Sequence, residues 1–331
     1  MPTIKDVARE ADVSVGTVSK VLSKDATVKQ TLRERVLHAV ETLNYKPNLA
    51  ARALRTNKAN IIGLVVPDIT NPFFAQLAKN IEAEAAKSST TVMLANSDED
   101  PEIEARQVQA LLDQTPRGLI IVGSVHQMTH DISTQVPIVS VDRRYGSYQL
   151  ISTNHEAGAA SVADHLFALG HRRIAYISGP QCTEVGRLRK KGFCDRIIEL
   201  ATPCDPVELT LREGHFDYKS GENIACSLVK GSPAAPFTAI AAASDQQAIG
   251  ALRAARDLGI AVPDQISITG FDDIALAQLI TPRLTTVSQP TAEIACSAVR
   301  CLLSDADAAK DDQLIEAELQ IRGSTGPVLS P

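Results

Sequence analysis

Asp68, Asn71, Asp142, Arg143, Thr183, Asp245 and Asp272 each stand beyond a short apolar run, and Phe73, Phe74 and Phe216 offer flat rings on which a ligand could stack. Carboxylates, an amide, a hydroxyl and a guanidinium so placed can exchange hydrogen bonds with a small polar molecule, and those involving a charged group are roughly twice as strong as neutral ones. A second set has different chemistry. Ser14, Gly16, Thr17 and Ser19, with Lys20 beside them, crowd the outward side of one short segment. Hydroxyls, a missing side chain and an ammonium make a surface that can approach a polyanion closely and donate to it. Neither set offers an activated nucleophile. No G-x-G-x-x-G follows an apolar run, no G-x-x-x-x-G-K-[ST] or G-x-S-x-G occurs, and no cysteines form a C-x-x-C pair. The residues therefore point to binding rather than catalysis, with no cofactor and no metal site.

The elements that would carry the second set are helical. Behind Thr3, the residues Ile4, Val7, Ala8 and Ala11 recur at helical spacing, with Asp6 placed to close a capping box. Asp12-Val13-Ser14 interrupts that helix, and Ser14 can cap a second one whose Val15, Val18 and Leu22 share a face. A third stretch sets Leu32, Val36, Ala39, Val40 and Leu43 on one side, with Thr31 and Glu34 as a second capping pair. Three short helices around one small core predict an all-α helix-turn-helix head over residues 1–46. In such a head the start of the second helix enters the major groove of DNA. Val15 is then expected against a thymine methyl, Gly16 where the backbone comes close, and Lys20 on guanine O6 and N7. A good base contact of this kind is worth about 1–3 kcal/mol of discrimination. Ser14, Thr17 and Ser19 are expected to hold phosphates.

The first set belongs to a different architecture. After a polar linker, short apolar runs alternate with helical stretches at Ile61 to Val66, Val92 to Ala95, Leu119 to Val122 and Ile138 to Val141. A second series follows at Ile174 to Ser178, Ala239 to Ala243 and Ile266 to Thr269. Buried parallel strands read this way, and two βαβ series predict an α/β body of two lobes, each a doubly wound parallel sheet. Ligands in such sheets bind beyond the strand C-termini, where the polar residues named above lie.

Charge supports the division. The net charge of -6 hides 11 Lys and Arg against 6 Asp and Glu in residues 1–60, so the first sixty residues carry +5 and the remainder -11. Phosphate attraction is local, fading over about 10 Å at ordinary salt, so a basic head on an acidic body suits a polyanion partner for the head alone. No run long enough to cross a membrane is present and the N-terminus turns charged at once, which places the protein in the cytoplasm. The six cysteines, Cys182, Cys194, Cys204, Cys226, Cys296 and Cys301, are expected to be small buried residues. A solute-binding protein would share the body, but the basic head and the missing signal-peptide core argue against it.

Several stretches are specific. Thr3-Ile4-Lys5-Asp6-Val7-Ala8, Val13-Ser14-x-x-Thr17-Val18-Ser19 and Leu43-Asn44-Tyr45-x-Pro47-Asn48 resemble the lac repressor/galactose repressor family of bacterial transcription regulators. So do Leu169-Gly170-His171-Arg172-Arg173-Ile174, Arg189-x-x-Gly192-Phe193, Gly270-Phe271-Asp272-Asp273 and Leu284-Thr285-Thr286-Val287-x-Gln289-Pro290 in the body. The resemblance implies a dimeric repressor on a palindromic operator, with a periplasmic-binding-protein-like body over residues 61–331. It extends the DNA-facing set to Thr3, Tyr45, Asn48, Ala51 and Leu54, and makes residues 47–60 a hinge helix and linker. Pro47 suits a first helical turn, and the eight-residue segment it opens is too short to be stable alone. By the same resemblance Leu54 wedges into the minor groove, and Arg189 with Asp272 forks onto sugar hydroxyls or a purine. Thr183 and Val185 favour a sugar-like effector over a nucleobase, whereas Arg143 and Arg144 leave an anionic or phosphorylated one open.

Overall fold

The structure is a computed structural model that describes residues 2–22, 25, 27–45, 59–124, 132–230, 237–304 and 311–328. The chain divides into two compact units, Met1–Ala59 and Asn60–Pro331.

In the first unit α1 (Ile4–Glu10) begins where expected, because the Thr3 amide and hydroxyl both donate to the Asp6 carboxylate at 2.8 Å. Just past its end Asp12, at a φ of 47°, turns the chain, and Arg35 fastens that turn by donating to the Asp12 carbonyl and carboxylate at 3.0 Å. Ser14 then caps α2 (Val15–Leu22) by accepting from the Thr17 amide at 3.1 Å. α3 (Gln30–Thr42) closes the unit over a core of Val7, Ala8, Ala11, Val18, Val21, Val36 and Ala39. Two expectations are corrected here. Thr31 and Glu34 form no capping pair, since the helix starts two residues earlier, with Lys29 at the N-cap, and Glu34 instead accepts from Gln30 at 2.9 Å. Val15 is 37% exposed, and Val21 takes the buried place on the face of Val18.

The second unit holds two six-stranded sheets. The N-lobe sheet runs β2–β1–β3–β4–β5–β11, from β1 (Ile61–Val66), β2 (Thr91–Asn96), β3 (Gly118–Ile121), β4 (Ile138–Val141), β5 (Leu150–Thr153) and β11 (Gln313–Ile315). All its pairings are parallel. The C-lobe sheet repeats the order as β7–β6–β8–β9–β10–β12, from β6 (Arg173–Ser178), β7 (Glu208–Glu213), β8 (Ala239–Ala242), β9 (Ser267–Asp272), β10 (Thr285–Ser288) and β12 (Glu318–Gln320). Only β12 is antiparallel among these. β1, β3, β4, β6, β8 and β9 follow the apolar runs because helices cover both faces, so nearly every position is buried and most are apolar. β9 begins one residue later than expected and runs three further, which puts Asp272 on its last residue.

Helices pack on both lobes. The N-lobe carries α4 (Pro72–Lys87) and α5 (Pro101–Leu112), and the C-lobe α6 (His155–Ala168), α7 (Glu184–Leu200), α8 (Tyr218–Lys230) and α9 (Asp245–Asp257). The last helix, α10 (Thr291–Leu303), returns to the N-lobe, where Ile294, Ala298 and Val299 join the core with Ile62, Leu77 and Ile120. The chain therefore passes between lobes three times, after Thr153, after Ser288 and after Ile315, each time just past the end of a strand.

The cysteines differ from expectation: Cys182 and Cys204 are exposed and the other four half-buried. A thiol is small enough to sit at the partly covered edges of helices as readily as in a core. Among the described residues no helix is long and apolar enough to cross a membrane.

Candidate functional site

Two of the lobe crossings and the ends of β4, β8 and β9 bring one polar cluster together. Arg189, from the second turn of α7, is its centre. Nη1 donates to the Ala243 carbonyl at 2.6 Å and lies 3.0 Å from Asp272 Oδ1, while Nε donates to His155 Nδ1 at 3.3 Å. The guanidinium stands 3.9 Å from the Phe271 ring centre and 5.6 Å from that of Phe216. Gly192, on the same helix, lets α7 close on the start of α6, because a Cβ there would collide with the Glu156 carbonyl. That approach carries Arg189 to His155.

His155 links the lobes. Its Nε2 lies 3.2 Å from Ser152 Oγ and 3.3 Å from Asp142 Oδ1. Since Nδ1 accepts from Arg189, the ring proton belongs on Nε2, facing Asp142. Burial pushes the His155 pKa down, the bond to Asp142 works against that, and the Arg189 charge lowers it further, so the ring is neutral. On the other side Gln289 donates to Asp272 Oδ1 at 2.8 Å and accepts from Thr153 Oγ1 at 2.7 Å.

The carboxylates differ in charge. Burial works to raise Asp142, but the His155 bond and the nearby Arg143 and Arg189 guanidiniums prevail and hold it below the usual range. Burial lifts Asp272 to about 6 against the pull of Arg189 and Gln289. Asp245 is raised well above the usual range by burial and by the Asp272 charge. Asp142 and Asp272 also sit in left-handed backbone, at φ of 61° and 120°. Such conformations cost about 1–3 kcal/mol each and gather at ligand sites, where the surroundings hold them in place. Asp142 Oδ1 is buried and, apart from the poorly aligned approach to His155, has no hydrogen-bond partner.

Of the body residues singled out from sequence, Asp142, Arg189, Phe216 and Asp272 meet in this cluster, Arg143 stands beside it, its Nε 3.8 Å from Asp142 Oδ2, and Asp68 accepts from the amide and hydroxyl of Thr70 at 2.8 and 2.7 Å. Five others have structural occupations. Asp245 is fully buried, accepting from the Ile274 amide at 2.8 Å and from the Thr286 hydroxyl, so it holds β9 and β10 together rather than facing a ligand. Asn71 caps α4 by accepting from the Phe73 amide at 3.0 Å. Phe73 lies in the N-lobe core with no face left for stacking. The Thr183 hydroxyl caps α7, accepting from Gly186 at 3.0 Å and donating to the Pro180 carbonyl at 2.7 Å. Phe74 is also in the core, with the Arg143 guanidinium 5.5 Å from its ring centre.

His155, Gln289, Thr153 and Phe271 were not assigned a binding role from sequence. The available signal was position: His155 follows the helix cap Asn154, and Gln289 lies in a stretch already recognised as specific. A wider hollow of about 620 Å³ lies elsewhere on the C-lobe, lined by Ile249, Leu252, Arg253, Ile260 and Ile280 among others, and includes none of the cluster.

In the head Thr3, Ser14, Val15, Gly16 and Lys20 are exposed, and Thr17 and Ser19 half-exposed, so the start of α2 presents small and polar groups outward. Tyr45 packs partly buried against the three-helix core. Asn48, Ala51 and Leu54 lie outside the described residues.

Residues 3–48 match the model of bacterial regulatory proteins of the lacI family, and residues 163–325 that of a periplasmic binding protein-like domain. The chain is 35% identical to the ribose operon repressor of Halalkalibacterium halodurans, over 92% of its own length and 90% of the relative's. Among solved structures, a lac repressor dimer bound to operator and the anti-inducer ONPF superposes with a TM-score of 0.84 at 30% identity, covering 98% of this chain and 99% of that one. A LacI family transcriptional regulator from Enterococcus faecium with bound ribose gives 0.71 at 28% identity, over 81% and 100%.

Proposed function

The chain belongs to the lacI family of bacterial regulatory proteins, and from that premise we propose that it works in the cytoplasm as a dimeric repressor whose grip on a palindromic operator is set by a sugar-like effector held between its two lobes. Residues 1–46 form the DNA-reading head, 47–60 the hinge and 61–331 the sensor. Val15, Gly16 and Lys20 read base edges, Ser14, Thr17 and Ser19 hold phosphates, Thr3, Tyr45, Asn48 and Ala51 complete the DNA-facing set, and Leu54 wedges the minor groove.

The observation that carries the sensor reading is the buried cluster of Asp142, His155, Arg189 and Asp272, with side chains 1–7% exposed. A planar guanidinium held between the Asp272 carboxylate and His155, with the Asp142 carboxylate on the far side of that histidine and the Phe216 and Phe271 rings flanking it, is suited to a polyol: hydroxyls donate to the carboxylates and accept from the guanidinium, and the carbon skeleton lies on the rings. Because members come from both lobes, a ligand that completes the cluster favours one arrangement of the lobes. Differential affinity of that kind typically gives 1–3 kcal/mol of coupling to a second site. The ribose named with two of the similar proteins supports a sugar.

A second copy has a place to bind. Met93 and Leu94 on edge strand β2 and Leu276 and Leu279 on the C-lobe are 36–76% exposed, which in a monomer would leave apolar surface in water. The direct test selects duplexes from a random pool with the full-length protein, then titrates the selected duplex with and without sugars. A palindromic site whose affinity changes with one sugar is expected; no preference for any duplex would reject the proposal.

A further inference from the structure

Beside the cluster, Ser124, Arg143 and Arg144 from the N-lobe and Cys182, Thr183, Glu184 and Arg187 from the C-lobe line a cavity of about 20 Å³. The feature that asks for an occupant is Arg143. Its side chain is 7% exposed, Nη1 donates to both Glu99 oxygens at 2.9 Å, and Nε is buried with no hydrogen-bond partner. A buried charged donor left without an acceptor is costly, so such donors in native proteins are met by protein, water or ligand. Asp142 does not meet it, because its nearer oxygen is 3.8 Å away.

The surroundings choose the acceptor's charge. Three guanidiniums line the cavity against one lining carboxylate, Glu184. Glu99 and Asp312, which pair with Arg143 and Arg144, have side chains 40% and 42% exposed and can turn to water when another acceptor arrives. Arg187 has no carboxylate within 4.0 Å among the described residues and donates instead to the Gln181 and Cys182 carbonyls at 3.0 Å. The first turn of the 17-residue α7 also borders the cavity, bringing the positive end of the helix dipole to it.

We propose that this cavity takes an acidic group of the effector, a phosphate or a carboxylate, while the effector's hydroxyls occupy the Asp142–Arg189–Asp272 cluster. The effector class is then an acidic sugar. The inference rests on the sugar-cleft reading above and narrows it.

Calorimetric titration of the full-length protein with matched pairs tests it: ribose and ribose 5-phosphate, glucose and gluconate, galactose and galacturonate, with inorganic phosphate alongside. One acidic member is expected to bind about tenfold or more tightly than its neutral partner, an advantage of about 1.4 kcal/mol. Which pair shows it separates phosphate from carboxylate. The advantage should shrink in high salt, and Arg187→Gln, at an exposed position that does not threaten folding, should bring the acidic sugar down to its neutral partner. Arg143→Gln should do the same. Neutral and acidic members binding equally, or an acidic advantage that survives both substitutions, overturns the anion site and leaves the sugar cleft standing. Binding of no sugar of either kind overturns both.

Discussion

Asp142, the residue that follows β4 in the N-lobe, and His155, the first residue of α6 in the C-lobe, stand 3.3 Å apart with side chains 3% and 1% exposed. Arg189 sets the histidine tautomer from the other side, so three side chains from two lobes share one proton arrangement. A movement of one lobe on the other must lengthen this contact or carry both partners with it. Asp142→Asn keeps the shape but offers an amide where a carboxylate accepted. We expect a loss of about tenfold or more in effector affinity by calorimetry, with an unchanged circular dichroism spectrum, since a charged acceptor is worth more than a neutral one.

Arg189→Ala should cost more. It leaves Asp272 buried beside Asp142 and Asp245 with no cation between them, and removing one partner of a buried pair typically costs about 3–5 kcal/mol. The expected outcome is loss of any effector response together with a clearly lower Tm. Arg189→Lys should recover part of the Tm but little of the response, because a point charge cannot fork onto two acceptors. A lysine variant that responds normally would remove the fork from the account.

The sequence made some of this legible for physical reasons. β1 and β8 are buried on both faces and consist of apolar residues, which no other arrangement of those segments would satisfy. β10, in contrast, begins Thr285-Thr286, yet both are fully buried because each hydroxyl has a partner, Thr325 for one and Asp245 for the other. Nothing in the local pattern announces those partners, which come from distant segments. Edge strand β7, Glu-Leu-Thr-Leu-Arg-Glu, hides for the opposite reason, because most of it faces water. In the site, Asp142 and Asp272 were recognisable as polar residues at strand ends. Asp245 satisfies the same rule, and only the tertiary fold turns it inward onto Ile274 and Thr286. His155 and Gln289 belong to the lobe crossings, which leave no compositional mark.

The head yields a prediction that separates two kinds of contact. Lys20 is exposed on α2, and as a base reader its loss should relax preference at one base per half-site, about 1–3 kcal/mol of discrimination. Leu54→Ala, in the proposed hinge, should weaken operator binding while leaving sugar affinity unchanged. Selection from random duplexes reads the first and a gel-shift titration the second. An unaltered base preference in Lys20→Ala would move that residue to the phosphates, where its loss lowers affinity for all sequences alike.

Acidification separates the buried carboxylates from the buried histidines. Asp272 keeps its proton up to about pH 6 in the folded protein, whereas an unfolded aspartate releases it near the ordinary value of 3.8. The folded state therefore binds more protons between those limits, and the contribution of this group to stability is full below about pH 4 and lost as pH rises to 6. His171 has the opposite sign. Its ring is buried between Thr238 Oγ1 at 3.0 Å and Ser267 Oγ at 3.0 Å, and burial lowers its pKa to about 4 from the ordinary 6.5. Its contribution is full above about 6.5 and lost as pH falls toward 4, because there the unfolded chain binds the extra proton. The two effects overlap in the same window, so the Tm of the native protein alone cannot assign them. Comparison with variants can. From pH 4.5 to 6.5 the native protein should lose ground relative to Asp272→Asn and gain ground relative to His171→Gln. The Asp272 step should also appear in sugar binding, with affinity falling below pH 6 as the carboxylate that pairs with Arg189 becomes neutral. A Tm difference from Asp272→Asn that stays flat across this range would mean that Asp272 is ionised throughout, and that Arg189 outweighs burial at the centre of the cluster.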